Sequence, residues 1–142
     1  MAAANPMLAP VIALVLWTAF VWAWMYATRI PAIMRMRLVL DPMAPRGEQM
    51  ATLPPQVRWK ADNYNHLFEQ PTIFYATALV LAVLGDRSSV SVTLAWVYVA
   101  SRVVHTLVQA LTNHIQSRFA VFFLSSLVLY ALAVRAAILV FD

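Results

Sequence analysis

The sequence predicts an all-α membrane protein, a single bundle of four transmembrane helices. Three observations carry this. Of the 142 residues, 63% are hydrophobic and 11% are charged, with a mean hydropathy of +0.73, whereas soluble domains carry roughly 25% charged residues. Four stretches supply the run of about 20 residues that a bilayer core demands, some only when their polar ends are counted. One long polar segment holds six of the ten basic residues, as the loops on one side of a multi-pass protein do. A chain of this length leaves no room for a second domain.

The first helix is expected at about residues 6–29. Pro6 and Pro10 suit a helix start, and Trp17, Trp22, Trp24 and Tyr26 suit interfacial anchoring. Met1 to Thr28 carries no charged side chain, so the stretch reads as a span and not as a cleavable signal, which needs a positive beginning. A loop is expected at about 30–58, punctuated by Asp41-Pro42, Ala44-Pro45, Gly47 and Pro54-Pro55. Ala32 to Leu40 contains no helix breaker, so the first helix can run on past Pro31. The second helix is expected at about 59–85, kinked at Pro71, because proline removes a ladder hydrogen bond. The turn Gly85-Asp86-Arg87-Ser88-Ser89 leads to a third helix at about 90–113. A fourth follows at about 118–140, with Arg135 near its end and able to snorkel to the interface.

The basic residues set the orientation. They gather in the first loop, while the Asp86-Arg87 turn nets zero. The positive-inside rule then puts that loop and the third-to-fourth connection in the cytoplasm and both termini outside it, in a cell inner membrane. The net charge of +4 is spread over loops and helix ends, which argues against a nucleic-acid partner. There is no cysteine, so any thiol chemistry must use a thiol that a substrate brings.

Chemistry is expected where two polar rows meet, because charge at membrane depth is costly and marks function. The first row is Asp62-Asn63-Tyr64-Asn65-His66-Leu67-Phe68-Glu69-Gln70-Pro71. The second is Arg102, His105, Gln109 and Arg118. Helical rise puts Glu69 roughly 10 Å, and His105 roughly 13 Å, below one membrane edge. Spacings of three and four put Asp62, Asn65 or His66, and Glu69 on one face, and Arg102, His105 and Gln109 on another. The expected object is a polar pocket between helices, with Glu69 and Arg102 lining it and Arg118 at its mouth. A structural ion pair between those two is the plainer reading. A metal held by His66, Glu69, His105 and His114 is disfavoured, because no HExxH run or second Glu-x-x-His accompanies them.

In order and spacing these residues resemble the MAPEG family, the membrane-associated proteins of eicosanoid and glutathione metabolism. The resemblance spans the chain in length and helix layout. Its specific part lies in Arg58–Ala76 and Ser101–Phe119, in the interval from Glu69 to Arg102, and in the placement of Arg118. It implies a homotrimer with glutathione bound between neighbouring subunits near the cytoplasmic side. By position it implies that Arg102 takes a glutathione carboxylate, Glu69 the amino group, and Arg118 the thiolate. His105, His66, Asn65 and Gln109 are then neighbouring polar contacts. The chain departs from the family's glutathione enzymes at Asp62 and Asn65, where they carry arginines. It departs also at His66, where they carry asparagine, and at Gln109, where they carry tyrosine. In this it looks closer to bacterial members.

Two functions follow. One is a glutathione-dependent membrane transferase or peroxidase acting on lipophilic electrophiles or lipid hydroperoxides. The other is a non-catalytic relative that binds lipid or quinone, or that serves as a structural subunit of a membrane complex.

Overall fold

A computed structural model describes residues 4–142; Met1 to Ala3, where the expectation of no cleavable signal begins, lie outside the described part. The described chain forms α1 (Leu8–Arg35), a short α2 (Glu48–Ala51), α3 (Pro55–His66), α4 (Gln70–Val83), α5 (Ser89–Leu107) and α6 (Ile115–Phe141). A π-helical turn, Val108–Thr112, continues α5. α1, α5 with its π turn, and α6 are long and apolar enough to cross a membrane. α1 runs through Pro31 to Arg35, further than 29. It ends with Arg37 in the left-handed region, where the Leu38 and Arg37 amides donate back to Ile33 and Met34.

The expected second span is divided in two, and its irregular stretch is not at Pro71 itself. α3 stops at His66 and α4 begins at Gln70, so Pro71 sits in the first turn of a new helix. The reason lies in the ladder. Proline cannot donate to the carbonyl four residues back, and its ring clashes with that carbonyl, so the break falls at Leu67–Glu69. α4 ends in a Gly85 turn with φ of 75°. There the Asp86 and Gly85 amides return to Leu81 and Ala82.

The core lies between α1, α4, α5 and α6. Leu14, Phe74, Ala78, Leu81, Ala95, Leu129 and Leu132 are wholly buried in it. Phe74 stacks on Tyr98 with ring centres 4.7 Å apart. Trp17 Nε1 donates to Thr106 Oγ1 at 3.3 Å and joins α1 to α5.

A polar clamp closes the end near the Asp86 turn. Arg135, expected to reach toward an interface, extends to this turn and the start of α5. Its Nε donates to Ser91 Oγ at 2.8 Å and its guanidinium to Ser88 Oγ at 3.0 Å, with Asp86 at 3.9 Å. Asn5 Nδ2 donates to the Ala82 and Asp86 carbonyls. Burial alone would raise the Asp86 pKa, but hydrogen bonds from Ser91 and Ser88, with the Arg135 charge, outweigh it and hold it below its ordinary 3.8.

Two outcomes follow. Phe74→Ala removes a fully buried stacked ring, with an expected cost of about 3–5 kcal/mol in unfolding free energy, read by thermal unfolding in detergent. The depressed Asp86 pKa contributes stability that is present above the ordinary value and is lost as pH falls through the lowered one. The melting temperature should therefore drop below about pH 4 in the native chain, and less steeply in Asp86→Asn.

Candidate functional site

α5 presents Tyr98, Arg102, His105 and Gln109 at spacings of four, three and four, so all four share one buried face. α3 meets the lower part of this face. Asn63 Nδ2 donates to Gln109 Oε1 at 2.9 Å, and the His66 and His105 rings lie 5.0 Å apart. α6 supplies Phe122, whose ring centre is 5.3 Å from His66 and 6.3 Å from His105. The Arg102 guanidinium lies 5.9 Å from the same ring. At the start of α4, Gln70 donates to Ser126 Oγ of α6 at 2.7 Å. Below the layer, buried Lys60 donates to the Ala110 carbonyl of the π turn at 3.4 Å and lies over the Trp24 ring.

A cleft of about 440 Å³ opens beside this layer, lined by His66, His105, Ile115, Arg118, Phe119 and Phe122. Arg118 stands in the first turn of α6, where its guanidinium donates to Asn113 Oδ1. Asn113 has a left-handed φ of 51°, which asparagine tolerates, so the turn that ends the π segment also holds the arginine.

Arg102 is the unusual member. Its side chain is wholly buried, and none of its three guanidinium nitrogens has a hydrogen-bond partner. Tyr98 Oη, His105 Nδ1, Asn63 Oδ1 and Gln70 Oε1 are likewise buried and unpartnered. Five orphaned groups on facing helices are a chemical demand for polar company. The guanidinium is a fork of donors that fits a carboxylate.

The two side chains expected to face each other do not pair. Glu69 has 66% of its side chain exposed and binds His66 Nδ1 at the rim. Neither Glu69 nor Arg102 lines the cleft; their neighbours His66, His105 and Phe122 do. The helix break explains this. Glu69 caps α4 and is not the last rung of one continuous helix, so spacing from Asp62 no longer sets its direction. Asn65 points elsewhere too. With Asp62 it lines a separate crevice on the far side of α3, while Asn63 and His66 take the α5 side. His114 caps α6 through Ser117. Among the described residues no three metal-ligating side chains gather.

Sequence reasoning missed Tyr98 and Phe122, and it put Asn63 and Gln70 in the first polar row without giving them a place in the site. Tyr98 was findable, one helical turn before Arg102 on the same face. Asn63 was findable too, three residues before His66. Phe122 carried no polar signal.

The sequence profile of the MAPEG family matches residues 7–138, nearly the whole chain, and the chain belongs to that family. No curated protein and no solved structure matches it.

The Asn63–Gln109 bond is the testable joint of the layer. Asn63→Leu or Gln109→Leu alone strands a buried polar partner, with an expected cost of about 1–3 kcal/mol. The double replacement should cost less than the sum of the two, as a double-mutant cycle of thermal stabilities would record.

Proposed function

We propose that this MAPEG-family chain is a glutathione-dependent membrane transferase or peroxidase, acting on lipophilic electrophiles or lipid hydroperoxides at the Arg118 cleft. The observation that supports it is the wholly buried, unpartnered Arg102 guanidinium directly behind that cleft. A tripeptide thiol carries carboxylates that answer this cation, and family members generally use glutathione.

In this reading Arg102 receives a carboxylate of the tripeptide, and His105, His66 and Gln109 give it polar neighbours. Glu69, at the rim, takes the ammonium group. Arg118 faces the sulfur. A cation there favours the thiolate over the thiol and so raises the population of the nucleophile. With an aryl halide the sulfur–carbon bond forms, the carbon–halogen bond breaks, and halide and the thiol proton leave to water. Phe119 and Phe122 offer an apolar wall to a lipophilic partner. The assembly is a homotrimer, with the open side of each cleft covered by a neighbour, and the arginine-rich loop lies in the cytoplasm.

The second reading is a non-catalytic family member that binds lipid or quinone or serves a larger complex. It is favoured by Gln109, which stands where the family's glutathione enzymes carry tyrosine, and by a cleft lined by a single arginine, Arg118. One experiment separates the two. In the purified full-length protein, glutathione at ~100 times its dissociation constant should stabilise the native state by about 2.7 kcal/mol, and conjugation of an aryl halide should be measurable. Arg118→Ala should lower that rate roughly 100-fold, the scale for losing one preorganised donor, with the thermal shift largely kept. Arg102→Met should abolish the shift. Equal rates in native and Arg118→Ala proteins overturn the thiolate role. Absence of any shift at millimolar glutathione favours the non-catalytic reading.

A further inference from the structure

The crevice on the other side of α3 has a volume of about 410 Å³ and is built from different parts of the chain. Arg29 and Tyr26 come from the end of α1. Arg58, Asp62, Tyr64 and Asn65 come from α3, and the loop around Gly47 forms the outer wall. Arg29 closes one apolar run, and Arg58 and Asp62 precede the next. The crevice thus sits where apolar sequence gives way to polar, the level of lipid headgroups.

Its cations have little protein company. Arg58 Nε is buried with no hydrogen-bond partner, and the Arg29 guanidinium donates to Met25 Sδ at 4.0 Å. The Asp62 carboxylate stands in the same crevice but pairs with neither arginine; the ion pairs among the described residues are His66–Glu69 and Asp86–Arg135. Two guanidinium forks and one carboxylate, kept apart around a half-closed space, complement a group that carries phosphate and ammonium a few atoms apart. Guanidinium suits phosphate oxygens, and a carboxylate suits ammonium.

The crevice also continues. Tyr64 lines both it and an apolar groove of about 420 Å³ formed by Val15, Ala19, Trp22, Phe68 and Tyr75 between α1 and the α3–α4 break. Polar chamber and apolar groove meeting at one residue are the two halves of an amphipathic ligand's outline. We propose that this composite site holds one membrane lipid with a phosphoethanolamine headgroup, the phosphate between Arg29 and Arg58, the ammonium on Asp62, and an acyl chain along Trp22 and Phe68. The site is separate from the cleft of the proposed reaction and does not depend on it.

Native mass spectrometry of the full-length protein in detergent tests this, with phosphatidylethanolamine, phosphatidylglycerol, water-soluble phosphoethanolamine and glutathione as probes. The native chain should retain phosphatidylethanolamine in preference to phosphatidylglycerol. Arg58→Gln should weaken retention about tenfold, the effect of one lost charge-assisted contact. Asp62→Asn should keep the lipid but lose the preference between headgroups. If Arg58→Gln does not fold, Arg58→Lys, which keeps charge but loses the fork, should still weaken retention. Four results overturn the proposal: equal retention of both lipids, no effect of Arg58→Gln or Arg58→Lys, soluble phosphoethanolamine binding as well as the lipid, or glutathione displacing the lipid. A second copy of the chain covering the groove and excluding lipid overturns it as well.

Discussion

A cation in a dry interior without an answering charge is the constraint to which the rest of this structure responds. Removing a charged group from water costs several kcal/mol even after relaxation, and at Arg102 the chain supplies no carboxylate in return. Glu69 is committed to His66 at the rim, and Asp62 lies across α3. What the chain does supply is softer, the Phe122 ring 5.9 Å from the guanidinium, while the oxygens of Tyr98, Asn63 and Gln70 are themselves buried and unpartnered. Such a site holds binding energy in reserve. An anion delivered to it removes a cost already present in the folded chain, so it gains more there than beside an exposed arginine.

The break between α3 and α4 makes that arrangement possible. An uninterrupted helix from Trp59 to Gly85 would fix the directions of Asn63, His66 and Glu69 by one rotation per residue. Interrupting it at Leu67–Glu69 lets α3 turn Asn63 and His66 to α5 while α4 keeps Phe74, Ala78 and Leu81 in the apolar core. Irregular backbone packed among apolar helices needs protein around it to satisfy its polar groups. Here Leu67 is buried and Thr72 Oγ1 donates to the Glu69 carbonyl. The π turn is the matching device on α5. It places Gln109 and Ala110 against α3, where Asn63 and Lys60 meet them. The clamp of Arg135, Ser88, Ser91 and Asp86 then fixes the opposite end of the same helix.

How much of this was legible depended on whether the signal was local or relational. α1, α5 and α6 announce themselves by length and apolarity, and their ends lie within a few residues of where hydropathy alone puts them, except that α1 runs on through Pro31. The Arg102, His105 and Gln109 face followed from spacing, because α5 is regular there. The Glu69 direction did not follow, since it depended on where proline breaks the ladder, four residues before the proline itself. Arg135 was expected only to reach toward an interface; its partners Ser88, Ser91 and Asp86 could not be named, because only the folded chain brings them within its reach. The choice between Asn65 and His66 was open by spacing, and packing of α3 against α5 decided it for His66.

That decision bears on the chain's departures from its family resemblance. Asp62 and Asn65 stand where the resemblance expects arginines, and on one continuous helix their exchange reads as loss of positive charge from the thiol site. In this structure both lie on the face of α3 turned from Arg102, about one helix diameter, roughly 10 Å, from it. At that distance, near a wet edge, their influence on the cleft is heavily screened. Arg118 still lines the cleft and Arg102 lies buried behind its wall, the two cations to which the proposed reaction assigns the thiolate and a carboxylate. The exchange changes the other side of α3 instead, where an acidic and an amide side chain turn a purely cationic crevice into a mixed one. The same two positions therefore bear less on the proposed thiol site than on the proposed headgroup site across α3.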